Sequence, residues 1–382
     1  MIIVLTLSEI LLYICFSMLI GALVLLLVPE GYRPQILIPK KLFYVATGII
    51  PIAALFPVIR TTSIFSEDRD MWFIFKNVLL TFEVGQSWVF ITLISVILIR
   101  VIITKNFKGN PVLLALALLL TMLMLLGYTR SSHAATITEW QGFLAHTFHF
   151  LAVTVWIGIL FVASWFSKTK DNWLRFLKWF TPVAVVCLII VSVAGYFTMS
   201  IDINSYDNPN ASIFQEYQNS LIVNYGQALL FKHLFMISLV LFAIINGIIF
   251  RKRNNDASFN PLKWARLESI YALTIFGLTA FMGQSWPPHQ IYSLIKSYGA
   301  SPLYTTFTQS NLVNTIQSAE MQEVFNVSFS FGFMSYLLCI LGVLFMAMTI
   351  IAAVKRSSVA MASSATLLMV LSFYFALMMA IQ

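Results

Sequence analysis

Charge is scarce in this chain. Of its 382 residues only 10% are Asp, Glu, Lys or Arg, while 59% are hydrophobic. A soluble globular domain carries about 25% charged residues, so a water-covered surface over most of the chain is excluded. Cysteine is equally scarce. Cys15, Cys187 and Cys339 all fall inside apolar stretches and form no CxxC pair, which excludes a disulfide framework or a thiolate zinc site. Isolated buried cysteines behave as small hydrophobes. No glycine-rich loop ending in Lys-Ser/Thr occurs, so an ATP-driven pump is not indicated. No apolar stretch carries the paired carboxylates of a proton-driven exchanger, and no spacing suggests a Ser–His–Asp arrangement. Residues 1–29 have neither a basic start nor a small-x-small cleavage site before Glu30, and read as a retained first helix rather than a signal peptide.

What the chain has in abundance is long apolar runs. Stretches of about 20 residues, enough to cross a hydrocarbon core of about 30 Å, recur at roughly 5–28, 42–59, 86–104, 111–129, 142–166, 180–200, 222–250, 265–283, 325–353 and 358–380. Backbone amides in lipid must be satisfied within their own segment, so these are helices. The expected class is an all-α, polytopic membrane bundle of about ten spans, with 71–85 as an aromatic-rich interfacial segment.

The net charge of +8 does not form one patch, so nucleic acid is not an expected partner. Lys and Arg alternate by loop. Arg33, Lys40 and Lys41; Arg100, Lys105 and Lys108; Lys168, Lys170, Arg175 and Lys178; Arg251, Lys252, Arg253, Lys263 and Arg266; and Lys355 and Arg356 share one side. The other side holds only Arg60, Arg69, Lys76, Arg130 and Lys296. The positive-inside rule then puts both termini outside the cytoplasmic membrane. Acidic residues show the opposite bias, with Glu9, Glu67, Asp68, Asp70, Glu83, Glu139, Asp202, Asp207, Glu216, Glu320 and Glu323 at or near the outer face. Such a face concentrates cations, or is simply solvated loop charge.

Short matches recur in order. Gly85-Gln86 in span 3 corresponds to Gly226-Gln227 in span 7, Gly127 and His133 after span 4 to Gly283 and His289 after span 8, and Gly21 in span 1 to Gly158 in span 5. Four spans per copy give the copies the same orientation, a parallel duplication. The expected organisation is an N-terminal four-helix unit at 1–130, a second at 131–290 and a two-helix addition with an outer loop at 291–382.

All five histidines, His133, His146, His149, His233 and His289, fall outside or in the outer half of the membrane under this topology. His146 and His149 share a helix face, with Trp156 two turns further along it. His149 and His233 lie at similar depths. Ionisable groups inside a membrane are costly and usually face the bundle interior, which singles out His149, His233 and Lys232. Plainer readings stand beside these: an interhelical hydrogen bond for His149, an interfacial position for His146, ordinary loop residues for His133 and His289, and a snorkelling side chain for Lys232. Imidazole suits copper, zinc and haem iron, and thioether sulfur selects Cu(I). Met199, Met236 and Met282 are therefore possible additional ligands, although methionines in so apolar a chain mostly pack. Glu268, near the inner end of span 8, is expected to pair with Arg266 or Lys263.

Several motifs together resemble the copper resistance protein D (CopD) family. They are Ser132-His133-Ala134; His149 followed by Trp156-Ile157-Gly158; Tyr225-Gly226, Leu229-Leu230 and Lys232; Asn246 before the Arg251 cluster; Arg266-Leu267-Glu268; and Pro287-Pro288. Gly21 extends the resemblance toward the first span, and the last two spans lie outside it. The resemblance implies copper handling, commonly uptake, at the bacterial cytoplasmic membrane, with a copper ion as cargo and an extracytoplasmic copper-binding protein as a possible partner. It places roles on His133, His149, Trp156, Lys232 and Glu268, and assigns none to His146 or His233. On that expectation His133 and His289 capture the ion and His149 and His233 hold it. Two other readings stay open: a haem b protein moving electrons or reducing Cu(II), since two histidines at similar depth also suit bis-imidazole ligation, and an assembly factor delivering copper to an oxidase.

Overall fold

The structure is a computed structural model. It describes residues 2–67, 69–206, 210–249, 260–308, 311–318, 325–355 and 358–381, with backbone only at 248 and 249. Asp68, Asp207, Glu320, Glu323, Arg356 and the Arg251–Arg253 cluster lie outside the described residues. The chain divides into two compact units, Met1–Ile201 and Asp202–Gln382.

The first unit contains α1 (Ile2–Leu27), α2 (Lys40–Phe65), α3 (Met71–Thr81), α4 (Glu83–Ile103), α5 (Pro111–Arg130), α6 (His133–Thr138), α7 (Trp140–Phe166) and α8 (Trp173–Asp202, whose last residue belongs to the second unit). The second contains α9 (Ile213–Ser220), α10 (Asn224–Ile244, continued by a wide turn at Ile245–Ile249), α11 (Pro261–Gln284), α12 (Ile291–Tyr298), α13 (Pro302–Phe307), α14 (Leu312–Ser318), α15 (Phe333–Val354) and α16 (Val359–Ala380). Among the described residues there is no strand beyond two isolated bridges, and nine helices are long and apolar enough to cross a membrane. The protein is therefore an all-α, multi-pass membrane bundle. The nine are α1, α2, α4, α5, α7, α8, α10, α15 and α16. The remaining expected span is α11, whose 24 residues reach about 36 Å at 1.5 Å per residue, but whose first turns carry Lys263, Arg266 and Glu268.

Span ends follow local chemistry. Asp70, Asn110, Ser212, Asn260 and Ser358 each cap a helix N-terminus through a side-chain oxygen, satisfying amide groups that have no partner inside the helix. Pro111 and Pro261 occupy first-turn positions where their missing N–H costs nothing. The expected ninth span, α15, starts at Phe333 rather than near 325. Residues just before it run extended, with Phe329 bridged to Ile381 and Ser330 N–H donating to the Ala380 carbonyl (2.6 Å). The sixth span starts earlier than expected, at Trp173, because Trp173, Phe176 and Phe180 form a ring stack along its first turns.

In the first unit α1 packs on α2, α5 and α7, and α4 packs on α2 and α5. Three basic loops meet at one end. Lys40 Nζ donates to the carbonyls of Ile103 and Thr104 (both 2.9 Å), and Lys108 Nζ donates to that of Ile38. Trp179 Nε1 donates to the Tyr32 carbonyl (2.8 Å) and Lys168 N–H to that of Gln35 (3.1 Å). Burial lowers the pKa of Arg33, with Glu30 at 3.6 Å opposing the shift, and lowers that of Lys108, with Lys40 adding to the shift. At the opposite end Arg130 pairs with Glu83 (2.7 Å). The alternation of basic loops along the sequence is thus an arrangement in space within this unit. The segment expected to be interfacial contains the helix α3, which buries Ile74 and Val78 against Val58 and leaves Met71, Trp72 and Phe73 exposed.

Three glycine contacts bring elements together backbone to backbone. A Cβ on Gly21 would lie 2.1 Å from the Gly158 backbone, and one on Gly158 would lie 2.1 Å from the Ser17 carbonyl oxygen. The helices α1 and α7 therefore touch backbone to backbone. A Cβ on Gly85 would lie 2.0 Å from the Val78 carbonyl oxygen of α3, and one on Gly226 would lie 2.0 Å from the Ser220 carbonyl oxygen of α9. In both turns the next residue reaches back six positions: Gln86 Nε2 donates to the Leu80 carbonyl (2.7 Å), and Gln227 Nε2 to the Leu221 carbonyl (2.5 Å).

In the second unit α10 packs on α11 and α16, and α16 packs on α11, α13 and α15. Gln227 is buried there, accepting from Tyr374 Oη of α16 (2.8 Å). The acidic residues of the expected outer face are not uniformly solvated. Glu216 is 3% exposed, and Glu9 hydrogen-bonds with the Tyr128 phenol.

Candidate functional site

In the first unit, α7 delivers His149 to α8. His149 Nδ1 lies 3.1 Å from the Val191 carbonyl oxygen. A carbonyl only accepts, so Nδ1 carries the proton and the lone pair of the neutral ring is on Nε2. One turn along α8 is Gly195, where a Cβ would come within 3.0 Å of the imidazole Nδ1 and Cε1. Val191 and Gly195 together make a seat that fixes both the tautomer and the plane of the ring. Ligating histidines are commonly held this way, by their second nitrogen on a carbonyl.

The other first-unit candidates differ from His149. The His146 ring stacks on Phe150 at 6.2 Å and tilts toward Tyr128 at 6.4 Å, within a cluster that includes Tyr13 and Phe16. His133 is exposed and opens the short helix α6, whose preceding residue Ser132 caps it. Trp156 is 2% exposed and its Nε1 is buried without a hydrogen-bond partner. Met199 is half-buried on the last turn of α8.

The second unit gathers a polar group around the start of α10. His233 is exposed, with Nδ1 3.0 Å from Tyr217 Oη of α9. Burial raises the pKa of the Tyr217 phenol. Lys232 is half-buried and interacts electrostatically with Asp202. Tyr225, two turns before Lys232 on α10, donates to Asp202 Oδ2 (3.2 Å), while Asp202 Oδ1 is buried without a partner. Met236 is half-buried one turn beyond Lys232.

At the end of α11, His289 Nδ1 donates to the Asn204 carbonyl (2.6 Å), again placing the lone pair on Nε2. Its ring stacks on Tyr206 at 5.1 Å. Its carbonyl accepts from Tyr206 N–H (2.8 Å) and Ser205 Oγ (3.3 Å). Met282 is buried two turns before it. Glu268, 2% exposed, accepts from Asn246 Nδ2 in the wide turn of α10. Arg266 and Lys263, two and five positions earlier, project from other faces of the helix, so the expected ion pair gives way to an amide–carboxyl pair.

Among the described residues no group of three or more His, Cys, Asp or Glu side chains gathers as a ready metal site. His149 belongs to the first unit and His233 and His289 to the second. Sequence spacing missed Gly195, Tyr217 and the pairing of Tyr225 with Asp202, because each acts on a residue of another helix. The available signal was Gly195, the single glycine of α8. No family model, curated protein or solved structure matches the chain.

Proposed function

We propose that the protein binds copper through its outer-end histidines and moves it across the bacterial cytoplasmic membrane, most simply inward. The observation that carries this reading is the seat of His149. A tautomer fixed by the Val191 carbonyl and a ring accommodated by Gly195 orient one nitrogen lone pair, as a metal-ligating imidazole requires. His289, fixed the same way by Asn204, is the second capture residue. His233, held by Tyr217, is the third, and exposed His133 is a peripheral one. Of these, the CopD-like motifs include His149 and His133. His146, packed among aromatic rings, is structural, and Met199, Met236 and Met282 are auxiliary at most. An acidic outer face would concentrate the cation.

The same reading includes ten spans with α11 as the eighth, both termini outside, and a parallel duplication with α15 and α16 added. The two Gly-Gln turns, with matching glycine contacts and matching hydrogen bonds six residues back, support the duplication.

The test is metal analysis and a visible spectrum of the purified protein beside His149→Ala and His289→Ala. Copper in the wild type, lost about tenfold or more in affinity in His149→Ala, is the expected result. Copper bound equally by both variants and the wild type would overturn it. A Soret band from haem-replete cells would replace it with the haem b electron-transfer reading. Unchanged cellular copper with an unmetallated oxidase on deletion would favour delivery to an assembling oxidase.

A further inference from the structure

At the far end of α10 from Tyr225 and His233 lies a second polar pair, which is not among the proposed copper ligands. Tyr225 and Asn246 are 21 positions apart, which is about 31 Å along a helix axis, close to one hydrocarbon thickness. Asn246 sits in the wide turn Ile245–Ile249. Such one-turn expansions of a helix are frequent at functional positions. Its side chain is 7% exposed, and Glu268 of the neighbouring α11 is 2% exposed. Asn246 Nδ2 donates to Glu268 Oε2, and Asn246 Oδ1 is buried with no donor.

This half-made pair has one chemical completion using its own atoms. An amide and a carboxylic acid are complementary: the amide N–H donates to one acid oxygen while the acid O–H donates to the amide oxygen. A carboxylate leaves Asn246 Oδ1 unsatisfied, at a cost of about 1–3 kcal/mol for a buried polar group. Addition of one proton to the carboxylate supplies the missing donor and removes a buried negative charge. The charges along the same helix are Lys263 and Arg266. The described part of α10 carries only Lys232 and His233, about 20 Å away along its axis. The helix α15, packed on the wide turn, is followed by Lys355, and α16 carries no acidic or basic residue. Residues 250–259 lie outside the described residues.

We infer that Glu268 and Asn246 form a proton-binding site at the end of the second unit that carries Lys263 and Arg266. Glu268 takes up a proton from the adjoining aqueous side as a neutral acid paired with Asn246, and returns it there as a carboxylate. In a protein that moves a cation, this is a seat for a coupled proton. The site does not depend on the identity of the cargo.

The experiment uses the full-length protein in detergent and a hydrophobic carbodiimide, which attacks protonated buried carboxyls, followed by peptide mass mapping. Modification of Glu268 at neutral pH is expected, falling about tenfold per pH unit on the alkaline side of its titration, and absent in the isosteric Glu268→Gln. A protonated-acid carbonyl band in the infrared spectrum, missing in Glu268→Gln and moved to higher wavenumber in Asn246→Leu, is the second expected result. Absence of labelling at every pH at which the protein stays monodisperse would overturn the inference, as would labelling independent of pH. An unmoved band in Asn246→Leu would overturn the pairing. Because neither readout uses copper, failure of the copper reading and failure of this site are separable.

Discussion

Two turns of the molecule are near copies and have different fates. In the first, α3 leads into α4 through Gly85-Gln86; in the second, α9 leads into α10 through Gly226-Gln227. The glycine contacts and the hydrogen bond six residues back agree in both. Yet Gln86 is exposed, whereas Gln227 is buried and tied to Tyr374 of α16. Contact with α16 places the second turn in the core, while the first lies at the surface. Further along, the position matching His233 is Thr92, whose hydroxyl donates to the Trp88 carbonyl of its own helix (2.8 Å). The position matching His149 is Leu12, 1% exposed. Thr92 is satisfied within its own helix, whereas His233 and His149 find partners on other helices. The two turns agree where backbone meets backbone and differ where side chains point elsewhere.

The largest effect is expected at the crossing of α1 and α7. Alanine at Gly21 or Gly158 puts a methyl into the partner backbone, and overpacking of that kind costs about 3 kcal/mol. Unfolding in mixed micelles should show both variants strongly destabilised and Gly48→Ala, with nothing within 4 Å, close to wild type. Equal stability of all three would dissolve the crossing. Next, Gly85→Ala and Gly226→Ala should each lose about 2 kcal/mol by the same assay. A neutral Gly85→Ala beside a damaging Gly226→Ala would show that the two turns are not equivalent. The glutamines should separate them: Gln227→Ala loses about 2 kcal/mol by stranding the Tyr374 hydroxyl, and Gln86→Ala about 0.5 kcal/mol.

The smallest effect concerns pH. The folded protein holds the Tyr217 proton more tightly than the unfolded chain does. Its contribution to stability is therefore full below the ordinary tyrosine value of about 10 and is lost as pH rises through the raised folded value. Difference absorbance of wild type against Tyr217→Phe should show no phenolate from this residue at pH 10. Its appearance there would contradict the burial.

The helices themselves were legible because lipid leaves the backbone one solution and the apolar runs have the length it requires. The basic-loop alternation was legible for the same reason, since membrane sidedness is written in short loops. The placement of His149 on a span was readable from hydropathy, but not its seat. Val191 and Gly195 lie more than forty residues away, on a helix whose rotation is set by packing. Tyr217 and His233 meet from two elements joined by a turn, and nothing in their spacing of sixteen distinguishes them from other Tyr and His pairs. Glu268 was expected to choose a charged neighbour in sequence; helix geometry sends those neighbours to other faces, and Asn246 takes their place.

The contact of Gly21 with Gly158 has a mechanical consequence. Two backbones in direct touch have no rotamers to rearrange, so the crossing acts as a fulcrum for α7. His149 stands nine residues from it, a lever arm of about 13 Å. A tilt of roughly ten degrees about that point would swing the imidazole by about 2 Å, enough to draw Nδ1 out of hydrogen-bonding range of the Val191 carbonyl. Gly21 and Gly158 thereby set how far the imidazole can travel.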